Sequence, residues 1–72
     1  MWDRRIYMNI EKEIKQPMKE QRLQQYKKRY FELELDRIAL LANEDKEGAT
    51  EVEKRMQSVQ SAYEAVEAIV IE

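Results

Sequence analysis

Two groups of side chains in this chain could do chemistry. Glu32, Glu34 and Asp36 alternate within five residues, and Glu64 and Glu67 stand three apart further on. Carboxylates brought together can hold a divalent cation or share a proton for acid–base work. The second group is Arg22, Lys27, Lys28 and Arg29, interleaved with Tyr26, Tyr30 and Phe31. Cations next to rings suit nucleic acid, with charge for the phosphates and aromatic faces for the bases.

Neither group carries far. The chain has no histidine and no cysteine, so the side chain that titrates near neutrality is missing and Ser–His or Cys–His nucleophiles cannot be built. Helical di-metal sites combine Glu with Glu-x-x-His, and here that histidine is lacking. The carboxylates therefore read as solvated helix faces. The basic cluster, placed on a helix, points all round the axis, and the whole chain has a net charge of -2. Nucleic-acid binding through Arg22, Lys27, Lys28 and Arg29 is kept as the alternative, but the plainer reading puts the rings in a core and the cations in water or in ion pairs. One glycine, Gly48, cannot make a phosphate-binding loop. A helical chain of 72 residues also has little room for a pocket. The sequence thus predicts no enzyme, no catalytic residue, no metal and no cofactor.

A third set is apolar. Trp2, Ile6, Tyr7, Ile10 and Ile14 lie mostly four apart, as they would on one side of a helix. Such a segment can dock in a partner's groove, lie on a membrane surface, or complete a homodimer core. Asp3, Glu11 and Glu13 oppose anionic lipid. A protein partner, or a second copy, is the expected contact.

The elements that must position these residues are helices. Thr50 with Glu53 three residues later makes a capping box, so the sequence predicts a helix from Thr50 to about Ile71. Along it Val52, Met56, Val59, Tyr63, Val66 and Val70 step by 4, 3, 4, 3, 4, a heptad seam. A second helix is expected over 18–45, rich in Lys, Glu, Gln, Leu and Arg. Pro17 favours a helix start or a bend there, which leaves residues 1–16 as an arm or a short helix over about 3–15. The resulting fold class is all-α: one small helical domain over 1–72, with an antiparallel helical hairpin over 17–71.

Charge is split along the chain. Residues 1–30 hold nine Lys or Arg against four Asp or Glu, a net of +5, and residues 31–72 hold four against eleven, a net of -7. A turn centred near Glu47 brings Lys27 level with Glu67, and sets Phe31 against Tyr63, Leu35 against Val59 and Ile38 against Met56. The expected core or self-association residues are Leu23, Tyr30, Phe31, Ile38, Leu41, Val52, Met56, Val59, Tyr63, Val66 and Val70.

The 18–45 helix is apolar over roughly 220° of its circumference, where a single partner helix covers ~100°. A domain this small is also marginal by itself. Both point to a homodimer forming a four-helix bundle. No leader and no membrane span are expected, because the longest apolar run is Ile38 to Ala42. The expected setting is cytoplasmic, and the expected role is a small adaptor or regulatory protein, with Trp2, Ile6, Tyr7, Ile10 and Ile14 as candidate partner-binding residues.

Overall fold

A computed structural model describes residues 4–71, with side chains from Glu13 to Ile71. Two helices account for nearly all of it: α1 (Arg4–Ala42) and α2 (Lys46–Glu67), packed against each other as an antiparallel hairpin. The particle is a rod of 65 × 14 × 13 Å.

Helix α1 runs unbroken through Pro17, where the sequence suggested a start or a bend. An interior proline removes one backbone hydrogen bond and costs about 3 kcal/mol relative to alanine. Here Glu13, Lys15, Gln16, Lys19 and Glu20 flank it, all good helix formers, and they carry the helix across. The result is one element of 39 residues, about 58 Å long at 1.5 Å per residue.

The turn lies earlier than the position of Gly48 implied. At the end of α1 the Glu44 N–H donates to the Leu41 carbonyl at 3.0 Å, and the Asp45 N–H donates to the Leu40 carbonyl at 2.9 Å. This pair of bonds is a Schellman motif, which needs a left-handed residue after the C-cap. That residue is Glu44, with φ of 61°, although glycine would adopt this conformation without strain. Glu44→Gly is therefore expected to raise stability by about 1 kcal/mol, read as a higher denaturation midpoint with unchanged slope.

Asp45 then caps α2. Its Oδ1 accepts from the Gly48 N–H at 2.9 Å. A Cβ at Gly48 would lie 2.5 Å from Asp45 Oδ2, so any other residue there would make the Asp45 carboxylate shift. The only glycine thus sits inside the first turn of α2 and serves the cap. Thr50 is one turn further in, and its hydroxyl donates to the Lys46 carbonyl at 2.9 Å. The capping box expected at Thr50 and Glu53 is replaced by Asp45, a better-placed Asx cap.

At the other end α2 stops at Glu67, short of the expected Ile71. Ile69, Val70 and Ile71 are consecutive β-branched residues, which lose side-chain freedom in a helix. The exposed carbonyls of this end are met from across the hairpin. Lys19 Nζ donates to the Glu67 carbonyl at 3.0 Å and to the Ile69 carbonyl at 2.6 Å. A cation at a helix C-terminus also opposes the helix dipole.

The seam between the helices is narrow. Leu33, Val52 and Met56 are buried together, with Tyr30, Leu40 and Val59 packed around them. Ala49 is buried next to the turn. The half-buried and buried positions of α1 in phase with these are Lys19, Leu23, Tyr26, Tyr30, Leu33, Arg37 and Leu40. Those of α2 are Ala49, Val52, Met56, Val59, Tyr63 and Val66. Both follow the 3–4 alternation of a coiled coil.

The register differs from the one the sequence suggested. Arg37 pairs with Glu53 at 3.6 Å, and Lys27 lies over the Tyr63 ring at 5.8 Å. Each partner is one helical turn earlier on α2 than a turn at Glu47 would give. The cause is the Asn43–Asp45 turn. Phe31, Leu35 and Ile38 consequently do not meet Tyr63, Val59 and Met56; all three face outward.

Candidate interaction surface

The outward residues are where α1 offers most to a partner. Phe31 is 58% exposed, Leu35 51% and Ile38 53%. They recur at the same 4–3 spacing as the seam, on the far side of α1, about 140° round its axis at 100° per residue. Helix α2 cannot reach this face. A large apolar patch in water is the informative surface on a small protein. Leu41 and Val70 are exposed as well.

A second feature lies along the hairpin. A shallow groove of about 440 Å³ is lined by Tyr26, Lys27, Tyr30, Val59, Gln60 and Tyr63. Its three tyrosines are half-buried. The position of Lys27 over Tyr63 puts that cation in a cation–π contact, so the groove is already served by the chain's own charge.

The basic cluster does not form one surface. Arg22, Lys27, Lys28 and Arg29 are all exposed, but their register spreads them round more than half of α1. Arg29 is also 3.9 Å from Glu32. The carboxylates are similarly dispersed. Glu53 serves Arg37, Glu64 accepts from Gln60 at 3.3 Å, and among the described residues no three acidic side chains are grouped to hold a metal ion. No described helix is long and apolar enough to cross a membrane.

Of the apolar N-terminal set, Trp2 lies outside the described residues. Ile6, Tyr7 and Ile10 belong to α1, but their side chains lie outside the described ones. Ile14 is 55% exposed. Of the expected core, Val52 and Met56 are buried, and Leu23, Tyr30, Val59, Tyr63 and Val66 are half-buried. Phe31, Ile38, Leu41 and Val70 are exposed in the single chain. The expected core omitted Tyr26, Leu33, Leu40 and Ala49, all of which belong to the seam, and it also omitted Lys19 and Arg37. Both are charged, yet both fall in phase with Leu33 and Leu40, and that phase was the available signal.

Helix α2 ends level with Lys19, so residues 4–18 of α1 extend beyond the hairpin. This overhang is about 22 Å long at 1.5 Å per residue. No protein-family model, curated protein or solved structure matches the chain.

Proposed function

We propose that this chain is a small non-enzymatic protein–protein interaction module, an adaptor or regulatory protein that acts by binding or occluding a partner protein. Its contact surface is the outer face of α1, and its assembled form is a homodimer of four helices. The observation that carries this reading is the exposure of Phe31, Leu35 and Ile38 together on a face that α2 leaves uncovered. Covering such a face removes apolar area from water at ~25 cal/mol per Å². The intrachain seam is short of that area: among the described residues only Leu33, Ala49, Val52 and Met56 are buried in it. Association supplies what so small a core lacks.

The nucleic-acid alternative gains nothing from the geometry, since its four cations point in different directions. Sedimentation equilibrium tests the proposal. A concentration-dependent dimer, folded by circular dichroism, is the expected result. A folded, cooperative monomer from low micromolar to millimolar concentration would remove the proposal's support.

A further inference from the structure

The outer face of α1 is uneven in side-chain size. Lys28, Phe31, Leu35, Ile38 and Ala42 follow one another along it at 3–4 spacing, and all are exposed. Before Lys28 the same phase continues through Gln24 and Gln21, so this apolar patch begins at Phe31. Its bulkiest member, Phe31, and its smallest, Ala42, stand at opposite ends, with Leu35 and Ile38 between them. An interface between identical copies must be self-complementary under a two-fold axis. Reversed about the point midway between Leu35 and Ile38, the patch sets Phe31 against Ala42 and Leu35 against Ile38. Large then meets small at both ends and like size meets like size in the centre, the alternation that fills a helix interface. Laid parallel in register, ring would meet ring at one end, and alanine would meet alanine across a gap at the other.

Charge selects the same direction. Lys27, Lys28 and Arg29 stand at the Phe31 end with no carboxylate among them. At the Ala42 end stand Glu44, Asp45 and Glu47, against the single cation Lys46. The reversal carries each basic end to the acidic end of the other copy, and Lys28, on the stripe itself, comes level with the turn at Glu44 and Asp45. A parallel pair would set three cations against three. Between the ends, Glu32, Glu34, Asp36 and Arg37 lie opposite the same stretch of the other copy in either direction, so they choose neither. Counted whole, residues 27–47 hold five Lys or Arg and six Asp or Glu, so two copies meet nearly neutral. Complementary ends fix orientation, and burial of the patch supplies the affinity.

We infer that the two copies meet patch on patch and antiparallel, with the two-fold axis passing between Leu35 and Ile38. This rests on the homodimer reading above and gives it a geometry. Each α2 lies on the far side of its own α1, so the four helices form a layer with the two α1 helices in the middle. The contact runs over residues 28–42 of each α1, about 21 Å at 1.5 Å per residue. Each Phe31 ring lies over the Ala42 of the other copy, beside the Lys28 that faces its turn.

The chain has no cysteine, so single introduced thiols report the arrangement. Phe31→Cys and Ala42→Cys are made as separate chains, both at positions exposed in the single hairpin. Mixed and oxidised, they are expected to form a disulfide-linked heterodimer. Neither is expected to link to itself, because equal positions then lie about 16 Å apart along the axis, beyond the ~7 Å between Cα atoms that a disulfide spans. Homodisulfides of either variant would mean a parallel pair and would overturn the inference. So would the absence of any disulfide in a mixture that sediments as dimers. Lys28→Glu reads the same point without touching the patch. It is expected to weaken the dissociation constant about tenfold, by replacing attraction to the facing turn with repulsion at two sites. Unchanged or tighter association of this variant would overturn the inference too. Any of these contrary results beside a wild-type dimer leaves the homodimer standing with another geometry, whereas a wild-type monomer removes both.

Discussion

Leu33→Ala is expected to cost about 2–5 kcal/mol of folding free energy, the range for truncating a buried leucine. Leu33 is 2% exposed, the lowest value of any large side chain in the protein's described part. It touches the Val52 and Met56 cluster from α1, with Tyr30, Leu40 and Val59 packed around it. Removing three carbons there leaves a void between two helices that have little else to hold them. Domains of this size have a total stability on the order of 4–11 kcal/mol, so the variant stands near the unfolding limit. Urea denaturation followed by circular dichroism measures it. The informative comparison is Phe31→Ala, studied at concentrations where the chain is monomeric. Phe31 lies on the outer face, so its loss there costs well under 1 kcal/mol, the usual size for a surface change. Equal costs for the two variants would mean that Phe31 belongs to the seam, with α1 rotated about its axis from the packing described.

That comparison also shows what the sequence could and could not reveal. Two helices, their antiparallel pairing and the α2 stripe of Val52, Met56, Val59, Tyr63 and Val66 were legible, because heptad spacing and helix propensity act locally. Which stripe of α1 faces α2 was not. Helix α1 has two candidate stripes. One carries Leu23, Tyr26, Tyr30, Leu33 and Leu40, the other Phe31, Leu35 and Ile38, and the expected core drew from both. The observed seam also includes Lys19 and Arg37, two residues that a hydrophobicity count rejects. Each is accommodated by a tertiary contact: Lys19 by the carbonyls ending α2, Arg37 by Glu53. Long basic side chains can line a seam with their methylenes and keep the charge at its edge. The turn was misplaced for a related reason. Gly48 drew it toward 45–49, whereas Glu44 takes the left-handed position and the glycine donates its N–H to the Asp45 cap. Turn position fixes the rotational phase in which α1 ends, and that phase decides which α1 stripe is left outside. The outward face is thus a consequence of a turn that no short motif announced.

Leu35→Lys is expected to dissolve the dimer while leaving the hairpin folded. Leu35 is half-exposed and lies outside the buried seam. Lysine matches leucine closely in helix propensity, and Glu32, three residues before it, offers an ion pair on the same face. Nothing within one chain therefore opposes the change. In the proposed dimer the position occurs twice, on the face where the two copies meet. Each site loses about 1 kcal/mol of leucine burial and adds about 1 kcal/mol from a cation held among apolar side chains. Over two sites this comes to about 4 kcal/mol, a weakening of the dissociation constant by about a thousandfold. At a concentration where the wild type sediments as a dimer, the variant is expected at monomer mass, with its α2 helix and the 19–42 part of α1 retained in amide exchange. Loss of the hairpin along with the dimer would show that Leu35 supports the fold itself. An unchanged dimer would show that the outer face of α1 is not where the copies meet, and the patch of Phe31, Leu35 and Ile38 would then need another occupant.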